Sequence, residues 1–276
     1  MRHCRVLDER DLAWVSRLVA ADPVGSCFVA SRVDAGVLRP GGVGELWGYP
    51  KERPYALLHL GANLVPVNMD AEARAAFVED LGRWRNFIAM VGPAAELLAL
   101  WQDLCARWGE SYEAVRVMRP RQLLMARSEA SSVAADPRLA PATPAMFDSY
   151  FAAAAAMYLE ELEEDPLQTN PVGYRNYVRS LIEQGRAFAI ADEGEVVFKA
   201  DLGAVSAQVA QVQGVWVKPA FRGRGLSVGG MAGVTNAIVA SGRTASLYVN
   251  DFNAPAVASY RRCGYAEVGA LASILY

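Results

Sequence analysis

Gly214-Val215-Trp216-Val217-Lys218-Pro219-Ala220-Phe221-Arg222-Gly223-Arg224-Gly225-Leu226-Ser227 is the stretch on which the fold of this chain turns. It begins as an apolar strand, which Pro219 stops because proline cannot donate to a sheet ladder. It ends by opening a helical stretch that runs from about Leu226 to Ser241. A glycine-containing turn therefore joins a strand to a helix, the setting in which anion sites are built. The first N–H groups of a helix have no partner inside it, and glycines let a phosphate come close to the backbone. Arg222 and Arg224 add positive charge. No Lys-Ser or Lys-Thr pair follows the glycines, and the G-x-G-x-x-G dinucleotide pattern is absent, so the turn implies a different phosphate ligand.

Outward from this turn, strands are predicted at Ala187 to Asp192, Val196 to Leu202 and Gln208 to Val217, after helical stretches at Ala145 to Glu164 and Pro171 to Gln184. Downstream lie a strand at Ala245 to Val249, a short helix at Ala254 to Cys263 and a closing strand at Ala270 to Tyr276. Asn253 is a good helix N-cap, Pro255 is tolerated in a first turn, and Gly264 suits a left-handed C-cap. Ser128 to Pro144, reading SEASSVAADPRLAPATP, has the composition of a connector. It sets a boundary near residue 135 and divides the chain into domains at 1–135 and 136–276. The first half alternates: a helix at Asp11 to Ala21, strands at Tyr55 to Leu60 and Leu64 to Val67, a helix at Asp70 to Leu81, and a strand at Asn86 to Val91. An amphipathic helix at Pro93 to Trp108 and a strand at Gln122 to Ala126 complete it. Such an order predicts a layered α/β architecture.

Arg222 and Gly225, after a V-x-P strand end, resemble the R-x-x-G-x-G/A signature of the GNAT N-acetyltransferases, with Ser227 replacing the usual last Gly or Ala. A second segment, Leu247 to Ala256 continuing through Tyr260 to Cys263-Gly264-Tyr265, resembles that family's strand, N-x-x-A helix start, tyrosine and terminal G-F/Y. The resemblance implies a mixed, mostly antiparallel sheet with flanking helices in the C-terminal half. It implies acetyl-CoA as donor, with its pyrophosphate on the amides of Arg222, Gly223, Arg224, Gly225, Leu226 and Ser227. It makes Val215, Trp216 and Val217 the backbone facing pantetheine, adds Asn250, Asn253 and Ala256 to the cofactor side, and makes Tyr260 the general acid for the leaving thiolate. The N-terminal half resembles the degenerate copy attached to some GNAT proteins. Gly92-Pro93 precedes its main helix, but proline removes a donor and no arginine-glycine pair accompanies it. Trp14, Trp47, Trp84 and Trp101 of that half are expected mostly in its core.

Acyl transfer to an amine also needs a base, and here the residues leave a gap. Gln208, Gln211 and Gln213 occupy the third strand, and glutamine cannot take a proton. A water chain, a partly neutral substrate amine or a residue from elsewhere must serve. The acidic run Glu160-Glu161-Leu162-Glu163-Glu164-Asp165 offers carboxylates that would attract a cationic amine, although clustered charge usually marks a solvated helix end. His3 and His59 lie in the other half. The expected function is transfer of acetyl to a primary amine of a small molecule or protein. A non-catalytic acyl-CoA sensor or docking protein is the alternative, and a tandem acyl or aminoacyl transferase that builds a thiol cofactor or wall peptide is a third.

Composition bounds the rest. With 276 residues, 53% hydrophobic, the chain can fill two ordinary cores. A net charge of -3 with no basic run disfavours nucleic acid. The sequence shows neither a signal-peptide segment nor a membrane span, so a cytoplasmic protein is expected. Cys4, Cys27, Cys105 and Cys263 are scattered, without metal-site spacing, and are expected as reduced, mostly buried thiols.

Overall fold

Two faces of each sheet have to be covered, and the alternation of side chains along the strands shows how. The computed structural model describes residues 2–276; Met1 lies outside them. In chain order the elements of the first part are β1 (Arg5–Val6), α1 (Leu12–Ala21), α2 (Cys27–Asp34), β2 (Glu45–Tyr49), β3 (Ala56–Leu60), β4 (Asn63–Val67) and α3 (Ala71–Leu81). β5 (Ala89–Pro93), α4 (Ala94–Trp108), α5 (Glu110–Glu113) and β6 (Val117–Arg127) follow. Then come β7 (Ala140–Pro141), α6 (Phe147–Leu162), α7 (Pro166–Thr169), α8 (Pro171–Glu183), β8 (Ala187–Asp192), β9 (Glu195–Val205) and β10 (Val209–Val217). α9 (Leu226–Ala240), β11 (Thr244–Asn250), α10 (Ala254–Arg262) and β12 (Ala266–Leu275) close the chain.

The chain forms two units, one of Met1–Leu124, Tyr248–Phe252 and Glu267–Tyr276, the other of Met125–Leu247 and Asn253–Ala266. The expected cut near residue 135 falls inside the second unit. In the first unit the strand order is β1-β2-β3-β4-β5-β12-β6, with β1 to β4 antiparallel, β4 parallel to β5, and β12 antiparallel to β5. All of β3 is buried, as a strand covered on both faces must be. Ala56, Leu58 and Leu60 join Phe77 of α3 and Leu97, Leu100 and Leu104 of α4. Leu57, with Val65 and Val67 of β4, joins Val15 and Val19 of α1 and Val29 and Val33 of α2. Period-two side chains thus feed two cores. Trp14, Trp47 and Trp101 pack partly buried at the edges of these cores, whereas Trp84 is 77% exposed. Cys4 and Cys27 are buried and form no disulfide among the described residues.

The second unit carries the order β11-β10-β9-β8-β7, antiparallel from β7 to β10 and parallel between β10 and β11. One face packs Tyr150, Ala153 and Ala154 of α6 and Val178, Leu181 and Ile182 of α8 on Ala187, Ala189, Val196 and Trp216. The other is covered by α9, which buries Val228, Met231, Val234 and Ile238 and contacts β8, β9 and β10. Mixed sheets with flanking helices, antiparallel for the most part, are therefore the fold, as the sequence motifs implied. No helix among the described residues is long and apolar enough to cross a membrane.

Candidate functional site

β10 carries the site because its ladder breaks in the middle. Gln213 lies opposite Asp201 and Trp216 opposite Lys199, so β10 has one more residue than β9 across this span and bulges at Gly214 and Val215. Gly214 takes φ +58°, a left-handed angle unfavourable to side chains; a Cβ there would also stand 2.7 Å from Asp201 Oδ2 and 2.9 Å from Lys199 Nζ. Beyond Val217 the strand ends: Lys218 N–H still bonds to Val197 O at 2.9 Å, and Pro219–Phe221 make a single 3-10 turn.

Gly223 and Gly225 both adopt left-handed φ, +75° and +79°, and Gly225 is the residue that starts α9 without any side-chain cap. A Cβ on either would meet nothing within 4 Å, so the turn faces open space. A cavity of about 290 Å³ borders it, lined by Asp136, Arg138, Phe221, Arg224, Gly225 and Leu226. Ser227 follows in the first helical turn. Arg222 is turned away from the opening: its Nε donates to Val217 O at 2.9 Å and its guanidinium pairs with Glu160 at 2.6 Å. Of the two arginines in the turn, Arg224 is thus the one beside the cavity, with Arg138 on another wall, and Arg222 braces the strand end against α6. An uncapped helix start with left-handed glycines and an adjacent cationic side chain fits a pyrophosphate.

α10 begins as expected, with the Asn253 side-chain oxygen Oδ1 accepting from Ala256 N–H at 3.3 Å. Tyr260 is 7% exposed and meets Tyr265 edge-on, with ring centroids 6.2 Å apart. The two phenols differ in use. Tyr265 shares a hydrogen bond with Thr235 at 3.0 Å, a core role. Burial, and then the charge of Glu161, holds the Tyr260 hydroxyl protonated well above the ordinary phenol value. Asn250 belongs by packing to the first unit, where its side-chain oxygen accepts from Gln122 at 3.0 Å.

The acidic run is divided in its uses. Glu160 accepts from Trp216 Nε1 at 3.2 Å as well as from Arg222, and Asp165 caps α7 through Leu167 N–H at 2.9 Å. Glu161 acts electrostatically on Tyr260 and also on Tyr174, two groups the sequence keeps far apart. A cavity of about 230 Å³ lies between α6 and α8, lined by Tyr158, Pro166, Thr169, Asn170, Gly173, Tyr174 and Tyr177. Gln213 donates to Tyr177 at 2.6 Å, and Gln211 is buried. Gln208 precedes β10. His59 is 3% exposed in the first unit, set edge-on to Phe28 at 5.3 Å, and burial lowers its pKa. That is a core histidine. Two charged residues that no motif marks, Lys199 and Asp201, lie buried beneath the Gly214 bulge.

Residues 199–272 match the family model described as FR47-like protein, and residues 44–150 match one described as a domain of unknown function, DUF4081. No curated protein matches the sequence. Among solved structures, a Drosophila protein is similar at 13% identity and TM-score 0.69, covering 99% of this chain and 98% of its own. A GNAT-family acetyltransferase from Colwellia psychrerythraea is similar at 14% identity and TM-score 0.61, with 99% of each chain covered. A tandem GNAT protein from the clavulanic acid biosynthesis pathway is similar at 12% identity and TM-score 0.54, covering 99% of this chain and 98% of its own. The chain has the GNAT fold throughout, and the FR47-like match spans the strand, turn and helix of the candidate site.

Proposed function

We propose that the second unit transfers an acetyl group from acetyl-CoA to a primary amine. The observation that carries this reading is the bulged β10 running into an open, uncapped, glycine-lined helix start, with a protonated buried phenol on α10. The N–H groups of residues 223–227 and the Arg224 side chain hold the pyrophosphate, and the backbone of Val215, Trp216 and Val217 orients the pantetheine arm. When bound, acetyl-CoA supplies an activated thioester. An N–H near Val215 meets the oxygen on which negative charge develops, and Tyr260 holds a proton at its hydroxyl for the departing sulfur. Glu161, whose charge reaches both Tyr260 and Tyr174, attracts the cationic amine toward the tyrosine-lined cavity.

The test is calorimetric titration with acetyl-CoA, followed by amine-dependent release of free thiol. Tyr260→Phe keeps the ring and removes the proton. It is expected to lower kcat by about 100-fold while leaving acetyl-CoA affinity unchanged. The second reading is an acyl-CoA sensor without turnover, favoured by Gln211 and Gln213 on β10 where a base would be useful. Under that reading acetyl-CoA binds but no amine releases thiol, and Tyr260→Phe changes nothing.

A further inference from the structure

Beneath the bulge lies a chain of buried polar groups that the reaction as drawn above does not use. Lys199 is 0% exposed, Asp201 4% and Tyr150 0%. The Lys199 ammonium donates to Asp201 Oδ2 at 2.6 Å and to the backbone oxygen of Gly214 at 2.8 Å. Tyr150, from α6, donates its hydroxyl to the other carboxylate oxygen of Asp201, and its ring lies 5.4 Å from the Lys199 nitrogen. A fully buried lysine is rare and survives only when paired. This one has a specific acceptor to satisfy. A bulge takes carbonyls out of the ladder, and a buried carbonyl without a donor is costly. The ammonium meets the Gly214 carbonyl, Asp201 neutralises the ammonium, and Tyr150 takes the remaining carboxylate oxygen. The same groups fill the space that a side chain at residue 214 would need.

We propose that Lys199 is a positioning residue for acyl transfer: fixed by Asp201 and Tyr150, it clamps the Gly214 carbonyl and so holds the backbone of residues 214–216 open toward the thioester. This rests on the acyl-transfer reading of β10, and it assigns the buried pair a function in place of mere core filling. Lys199 touches no reacting atom; it acts through the peptide that follows Gly214.

Lys199→Met alone leaves the Asp201 carboxylate buried without its cation and is expected to unfold the unit, so the informative variant is Lys199→Met/Asp201→Asn. It removes both charges together and leaves Tyr150 an amide oxygen to bond. In this double variant, amide exchange at residues 214–216 is expected to quicken about tenfold for the lost hydrogen bond, with β8 and α9 as protected as before. Acetyl-CoA affinity, held mainly by the phosphate turn, is expected to fall far less than kcat, which drops by about 100-fold, the cost of a reacting group misplaced by about 1 Å. Wild-type exchange at residues 214–216 overturns the proposal, and so does quicker exchange with wild-type kcat. Exchange needs no ligand, so it reports on the clamp even where failure of the wild type to bind acetyl-CoA has removed the acyl-transfer reading.

Discussion

The helix starts of α3 and α9 occupy the same topological position and have opposite chemistry. Each follows the antiparallel strand that is paired in parallel with the next one, β4 with β5 and β10 with β11. In the first unit residues 68–70 make the link, and Asp70 caps the helix by accepting from Ala73 N–H at 2.9 Å. Tyr55 donates to that carboxylate at 2.9 Å, Tyr49 donates to Glu72 in the same first turn at 2.7 Å, and Met69 N–H is bonded to Glu96 at 2.9 Å. The helix start already holds its anions. In the second unit residues 218–225 make a longer link, the two glycines turn left-handed, and no side chain caps α9. The electrostatics of the first start oppose a phosphate and those of the second favour one. The fold supplies a helix start in both; only the turn decides whether it is a site.

The sharpest way to break this contrast is to put a carboxylate in the open turn. Gly225→Glu is expected to weaken acetyl-CoA binding by at least about 100-fold, from charge repulsion and from the cost of a side chain at φ +79°. Gly225→Ala, with the same backbone penalty and no charge, is expected to lose less. Calorimetry on the two variants separates the terms, and equal losses would mean that the turn matters only as backbone. The smaller counterpart lies in the first unit. Asp70→Ala removes the cap and is expected to lower the melting temperature by a few degrees, as loss of one helix cap does in a chain of this size, with acetyl-CoA binding unaltered. A gain of acetyl-CoA binding at α3 in this variant would show that the carboxylate alone distinguishes the two helix starts.

The second unit's turn was legible because its signal is local: a strand stopped by Pro219, two glycines spaced for a left-handed turn, and a helix with Asn253 capping the next one. Most of the long elements were legible for the same reason, including α1, α3, α4, α6, α8 and α9. The topological counterpart of the turn was not. Gly92-Pro93 leads into α4, which corresponds to the Asn253 start of α10, while the true counterpart, residues 68–70, shows no glycine to draw attention. α2 and β2 escaped because an eight-residue helix with no side-chain cap and a five-residue strand carry little periodic signal. β12 reads as a closing strand but not as one that pairs with β5, since pairing partners 182 positions apart, as Ser273 and Val91 are, leave no mark on a single sequence. The buried pair hid in plain alternation: Phe198-Lys199-Ala200-Asp201 reads as a strand with a wet face, yet α6 covers that face.

Titration extends the contrast between the units to a finer scale. Both histidines of the chain, His3 and His59, are in the first unit, and only His59 is buried. Its Nδ1 bonds to Asn63 O at 3.1 Å, so the proton sits there, and Nε2 is buried with no partner among the described residues. Burial lowers its pKa, outweighing the opposing Asn63 bond, and the charge of Arg32 on α2 adds a smaller lowering. A base whose folded pKa lies below its unfolded value binds fewer protons folded than unfolded. Stability is therefore full above the unfolded value of about 6.5 and declines as pH falls below it. Glu96, whose pKa burial raises, works in the opposite sense in the same unit, since its folded form binds the extra proton. The measurement must therefore compare variants rather than conditions alone. His59→Phe keeps an aromatic ring beside Phe28 and cannot titrate. Amide exchange of β3 and β4, corrected for intrinsic rates, is expected to quicken between pH 7 and pH 5.5 in the wild type and to quicken less in the variant. β9 and β10, in a unit without histidine, are expected to behave alike in both. An unchanged response of β3 and β4 in His59→Phe would mean that His59 takes up its proton as readily in the folded protein as in the unfolded chain, or that the strand pair opens without exposing it.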